Sequence, residues 1–164
     1  MMAHPHKKAI ESMPSSALIG IIEESKMTYV RENLSIFLHV SQVKMLKQVK
    51  KHDKPHHKRI RVKQFEKAKK DDLFNLHLGL YLKKYQKLEK IGLIEIDLEP
   101  DNCLEYDCHL TSKGFEVLDE ISELESDWEN VVGINDEDNE VLKKLALNSF
   151  EISYKHKKKQ GFIF

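Results

Sequence analysis

The chain has 164 residues, of which 40% are hydrophobic and 33% are charged, and its basic and acidic side chains cancel to a net charge of zero. This length and composition predict one soluble, helix-rich domain with its own core. They argue against a membrane protein, because the apolar run at residues 17–22 is far too short to span a bilayer. Residues 1–10 lack a signal peptide's apolar run, and both cysteines fit a reducing compartment, so we expect a cytoplasmic protein.

The zero net charge hides a strong segregation of charge along the chain. Residues 44–90 carry 16 lysines and arginines against 5 acids, a net charge of +11. Residues 95–140 carry one lysine against 17 acids, a net charge of −16. A basic block of this size is typical of a surface that contacts phosphate. The alternative interpretation is that lysine-rich helices simply have solvated outer faces.

Hydrophobic periodicity predicts three helices in the first half of the chain. We expect residues 1–14 to be flexible and Ser15 or Ser16 to cap a helix that reaches about Val40. Its inward residues are Leu18, Ile22, Tyr29, Val30, Leu34 and Phe37. A second helix begins at residues 41–42. Its inner side chains are Val43, Leu46 and Val49, and its outer ones are Lys44, Lys47, Lys50 and Lys51. A loop (52–58), a short edge strand (59–61) and a third helix (62–70) follow.

The segment from residue 82 to residue 114 predicts a helix, a β-hairpin and the start of another helix. Tyr85, Leu88 and Ile91 share one helical face, and Gly92 follows where a left-handed residue ends a helix most easily. Alternating strands are predicted at 94–98 and 104–108, separated by turn residues at 100–102. Thr111 is then the predicted N-cap of the next helix.

Two further helices are predicted to complete the chain. The first runs from residue 112 to Gly133, and Asn135 or Asp136 caps the second. The apolar positions of the first are Phe115, Leu118, Ile121, Leu124, Trp128 and Val131. Those of the second are Val141, Leu142, Leu145, Phe150 and Ile152.

Two short motifs in this region resemble those of the MarR-type winged-helix transcriptional regulators. Residues 88–95, LEKIGLIE, are similar to the family's "LE-x-x-GLI-E" at the exit of the recognition helix. Residues 110–114, LTSKG, resemble the "LT-x-KG" that opens the helix after the wing, which is the β-hairpin of the fold. The resemblance covers about residues 82–132, and the order and separation of both motifs match the family.

The resemblance implies a mostly α protein with a small β-hairpin, a winged helix-turn-helix with long N- and C-terminal dimerisation helices. It implies a single domain at 15–164, a reading lobe at about 41–114, and dimerisation helices at about 15–40 and 115–159. The expected partner is double-stranded DNA, bound by a homodimer whose recognition helix, about residues 76–91, enters the major groove. A small-molecule effector is allowed, but no residue indicates its identity. The expected DNA-binding residues are His77, Tyr81, Lys83, Lys84, Gln86, Lys44, Lys47, Arg59, Arg61 and Lys63.

The chain also departs from the family pattern. Family wings usually carry an arginine that enters the minor groove, whereas residues 95–107 hold six acids and no lysine or arginine. Acids at this place repel phosphate. The recognition helix also begins with a leucine-rich run at residues 76–82 instead of polar residues. A second interpretation is therefore a winged-helix module that binds protein without sequence-specific DNA binding.

Other chemistry is not indicated. Cys103, Cys108 and His109, with His56 and His57, could form a zinc site, but their spacing is not that of a standard zinc pair. Acids beside both thiols would raise the thiol pKa, which disfavours redox sensing. We find no nucleophile-elbow, P-loop or dinucleotide-binding motif. We therefore expect no catalytic residues, no metal site, no cofactor and no enzymatic activity.

Overall fold

The computed structural model describes residues 5–52, 82–98 and 106–159 as a mostly helical chain with one small antiparallel hairpin. Its helices are α1 (Pro5–Glu11), α2 (Ser15–Asn33), α3 (Val40–His52), α4 (82–90), α5 (Ser112–Val132) and α6 (Asp136–Lys159), and its strands are β1 (Ile94–Leu98) and β2 (Tyr106–Leu110). The predicted class, mostly α with a small hairpin, is confirmed. None of the described helices combines the length and low polarity that crossing a bilayer requires.

By its internal contacts the chain divides into two compact units, Met1–Glu125 and Ser126–Phe164. In the first unit, every described element from α2 to α5 contributes one apolar side to a common core. The inward face predicted for α3 is confirmed, because Val43, Leu46 and Val49 are all almost fully buried. The other core residues are Met27, Val30, Leu34, Leu38, Tyr85, Leu88, Leu93, Ile94, Cys108, Leu110, Val117, Leu118 and Ile121.

The first long helix ends earlier than its periodicity predicted. α2 stops at Asn33 instead of near residue 40, and Leu34 takes an extended conformation. Ser35 then donates two hydrogen bonds to the Glu120 carboxylate, from its backbone N (2.6 Å) and from its Oγ (2.7 Å). Glu120 lies 85 residues further along the sequence, so the local sequence pattern could not reveal that it bonds a residue just after α2.

Several predicted inward positions are exposed. Phe37 is 68% exposed and lies after the end of α2. Its helical spacing from the earlier apolar residues therefore did not indicate that it belongs to the helix. Ile22, Ile91 and Phe115 are also more exposed than predicted, at 50%, 38% and 44%. The predicted serine cap is wrong as well, since Pro14 precedes α2 and no side chain caps it.

In the second unit, both predicted helix ends are confirmed. Gly133 has a φ of +83° and ends α5, and the N–H of Ile134 bonds the Glu129 carbonyl (3.1 Å). Asn135 caps α6 through a reciprocal pair of hydrogen bonds with Asp138 (2.9 and 3.0 Å). Trp128 is buried, whereas the large apolar side chains of α6 are exposed.

Candidate nucleic-acid interface

Helix α4 separates its apolar and basic side chains onto different faces. Tyr85 and Leu88 are buried in the core of the first unit, as predicted. The basic residues of the helix are exposed, so its outer face is polar and basic. It carries Lys83, Lys84, Gln86, Lys87 and Lys90. This face can offer ammonium groups to phosphate and an amide to a base edge.

The end of α4 is fixed by a Schellman motif. Gly92 has a φ of +80°, which a residue with a side chain adopts at a cost. The N–H of Leu93 bonds the Leu88 carbonyl (3.1 Å), and the N–H of Gly92 bonds the Glu89 carbonyl (2.9 Å). Both bonds satisfy carbonyls that the helix end would otherwise leave open. The predicted role of Gly92 is therefore confirmed.

The two family-like motifs meet in space at one place, which we call the wing joint: Gly92 and Leu93 against Thr111 and Gly114. Thr111 Oγ1 accepts the Gly114 N–H (3.0 Å), as an N-cap does, and donates to the Gly92 carbonyl (2.6 Å). A Cβ at Gly114 would lie only 2.1 Å from the Leu93 oxygen. The joint therefore requires glycine at this position, and it fixes the start of α5 against the exit of α4.

The wing, formed by β1 and β2, has one apolar and one polar face. The strand register pairs Ile94 with Leu110 and Ile96 with Cys108, and these residues are buried or half-buried. Glu95 and Asp97 are exposed on the other face, where Asp97 lies 3.5 Å from the imidazole of His109. The predicted alternation is confirmed. β2 ends at Leu110, two residues later than predicted, because it pairs along the whole of β1.

The lysines of α3 are exposed, as predicted, but two of them face carboxylates of the same chain. Lys47 forms an ion pair with Glu125 of α5. The pKa of Glu23 in α2 is lowered, mainly by its hydrogen bond to Lys26, and the charges of Lys44 and Lys47 lower it further. The basic block is therefore partly balanced by acids of α2 and α5, which charge counts along the sequence could not show.

The ten predicted DNA-binding residues divide into three groups. Lys83, Lys84 and Gln86 share the exposed face of α4, and Lys44 and Lys47 lie on α3. The other five lie outside the described residues: His77, Tyr81, Arg59, Arg61 and Lys63. Sequence reasoning missed Glu125 as the partner of Lys47, and no local pattern signals that pairing.

The described residues hold no cluster of three or more metal-ligating side chains. Of the possible zinc ligands named above, Cys108 is buried and His109 is half-buried. Cys103, His56 and His57 lie outside the described residues.

Comparison with known proteins gives the fold. No protein-family model and no curated protein sequence matches the chain. A crystal structure of MarR is similar, with a TM-score of 0.64 and 23% identity over 90% of this chain and 96% of that one. A MepR–DNA complex from S. aureus matches with a TM-score of 0.55 and 15% identity, covering 85% of this chain and 98% of that one. A mutant of MarR from E. coli complexed with operator DNA matches with a TM-score of 0.54 and 18% identity, covering 85% and 95%. The chain therefore has the winged-helix fold of the MarR-type transcriptional regulators.

Proposed function

We propose that this protein is a DNA-binding transcriptional regulator and not an enzyme. The observation that carries the proposal is the exposed basic face of α4 directly before the wing, in a fold shared with MarR and MepR structures that contain DNA. An exposed helix of this kind enters the major groove in winged-helix complexes. The protein then acts in the cytoplasm, where its operator lies.

The residues of the interface have different roles in this proposal. Lys83, Lys84 and Gln86 lie on α4, and with His77 and Tyr81 they contact base edges or the phosphates beside them. The remaining five fix the register on phosphate: Lys44, Lys47, Arg59, Arg61 and Lys63. Because carboxylates of α2 and α5 balance Lys44 and Lys47, we expect these two lysines to contribute less to DNA affinity than their exposure alone would suggest.

The functional unit in this proposal is a homodimer formed through terminal helices. Helix α6 exposes many large apolar side chains, and exposed apolar surface of this kind marks association sites. They are Val141, Leu142, Leu145, Leu147, Phe150, Ile152 and Tyr154, each at least 46% exposed. Helix α2 exposes Ile19, Ile21 and Ile22 in the same way.

Charge along α6 supports a second copy as the partner. The first turns of α6 carry Asp136, Glu137, Asp138 and Glu140, while residues 143–159 carry six lysines and one acid. Antiparallel pairing of two α6 helices would therefore place the acidic half of each against the basic half of the other. Parallel pairing would instead place like charges against each other, which is unfavourable.

A fluorescence anisotropy titration at several salt concentrations tests the function. The probe is duplex DNA from upstream of the protein's own gene, and a scrambled duplex of equal length is the control. We expect tighter binding to the upstream duplex and a steep loss of affinity with salt, because each neutralised phosphate contributes about one unit to the slope. Equal, weak binding to both duplexes would overturn the proposal.

One observation favours a second candidate, a winged-helix module that binds protein. The wing exposes Glu95 and Asp97, and acids at this place oppose phosphate. If the anisotropy titration shows no salt-sensitive binding to either duplex, this second function becomes the better account.

A further inference from the structure

Glu89 connects α4 to the wing through a hydrogen bond. Neither the motif resemblance nor the charge pattern predicts this bond. Its Oε2 accepts the backbone N–H of Ile96 at 2.7 Å. Glu89 lies in the last turn of α4, and Ile96 is the middle residue of β1. In an antiparallel pair, alternate residues direct their N–H groups away from the partner strand. The carboxylate therefore holds the outer edge of the wing against the end of α4.

The position of Glu89 is unfavourable on two other grounds. An acid in the last turn of a helix faces the negative end of the helix dipole. Glu89 is also the one acid in residues 82–90, where four lysines form the basic face. A carboxylate beside that face weakens attraction to phosphate. Helix stability and charge therefore both fail to explain a glutamate here, whereas the bond to Ile96 does.

We infer that Glu89 is a positioning residue for DNA binding, which holds the acidic wing at a fixed place relative to α4. This inference rests on the proposed function. When the bond is present, α4 can approach the major groove while Glu95 and Asp97 stay with the wing. When the bond is absent, the edge of β1 is released and these acids can move toward phosphate. Glu89 therefore aids DNA binding although its own charge opposes it.

Two substitutions separate the hydrogen bond from the charge. Glu89→Gln keeps an oxygen that can accept the Ile96 N–H and removes the charge, so we expect affinity for the upstream duplex to equal or exceed that of the wild type. Glu89→Ala removes both, and we expect about threefold to tenfold weaker binding, the effect of losing one hydrogen bond. Glu95→Gln is the matched control, because it removes one charge beside Ile96 and should tighten binding.

Amide hydrogen exchange at Ile96 provides a readout that does not depend on DNA. We expect faster exchange of the Ile96 N–H in Glu89→Ala than in the wild type, and wild-type exchange in Glu95→Gln. Unchanged exchange in Glu89→Ala, or tighter DNA binding by that variant, would overturn the inference. A wild-type chain that binds no duplex would instead overturn the proposed function, so the two failures are distinguishable.

Discussion

The wing joint predicts a large loss of stability from the smallest substitution available there, Gly114→Ala. The added Cβ would lie 2.1 Å from the Leu93 oxygen, 3.1 Å from the Leu93 carbonyl carbon and 3.2 Å from Leu110 Cδ2. An ordinary contact between carbon and oxygen is about 1 Å longer than the first of these distances. Leu93 is fully buried, so its backbone cannot move away without disturbing the core.

The cost of Gly114→Ala can be worked from these contacts. Forcing a methyl group into a packed site costs about 1–3 kcal/mol. Moving the start of α5 also weakens the Thr111 cap, which contributes about 1 kcal/mol. Alanine regains about 1 kcal/mol over glycine inside a helix. We therefore expect a net loss of about 1–3 kcal/mol in the free energy of unfolding.

Urea unfolding followed by circular dichroism measures this loss, at one protein concentration because association would shift the midpoint. Gly20→Ala is the matched control. Gly20 lies inside α2, and nothing comes within 4 Å of a Cβ built there, so this variant should be more stable by about 0.5–1 kcal/mol. If Gly114→Ala were as stable as the wild type, the start of α5 could not lie as close to the Leu93 carbonyl as the structure places it.

Three further predictions concern binding and assembly. Lys83→Ala should change sequence preference by about 1–3 kcal/mol at one base pair, whereas Lys44→Ala should weaken binding to all duplexes alike. Anisotropy titrations against single-base variants of the upstream duplex distinguish these two effects. If both variants lost the same affinity for every duplex, the different roles given to Lys83 and Lys44 would be refuted. Asp97→Asn should tighten DNA binding, most visibly at low salt, and weaker binding would show that the acid makes a favourable contact. Light scattering should give a mass about twice 19.2 kDa for the wild type. The mass should fall for Phe150→Asp, because it puts a charge among the exposed apolar side chains of α6, and a full-length monomer would refute the dimer.

Local signals in the sequence predicted the part of the fold that depends on local chemistry. Gly92 and Gly133 end their helices because a left-handed conformation suits glycine, and Thr111 and Asn135 cap theirs with side-chain oxygens. The wing was predicted because its strands alternate along their length. These features depend on residues within a few positions of one another, which is why the sequence alone revealed them.

Contacts between distant residues were not predictable in this way. The end of α2 depends on the Glu120 carboxylate, and the charge of Lys47 is balanced by Glu125. Glu89 was part of a recognised motif, but its bond to Ile96 depends on how the wing folds back on α4. The sequence predicted that the basic block faces outward, but it could not show which lysines meet carboxylates of their own chain.

Methylation protection of the upstream duplex tests the central claim most directly, because dimethyl sulfate reacts with guanine N7 in the major groove and with adenine N3 in the minor groove. If α4 enters the major groove and the acidic wing stays out of the minor groove, the bound protein should protect guanine N7 and leave adenine N3 beside the site reactive. Lys83→Ala should lose part of the guanine protection. Protected adenines with fully reactive guanines would contradict the account, because the wing and not α4 would then contact the bases.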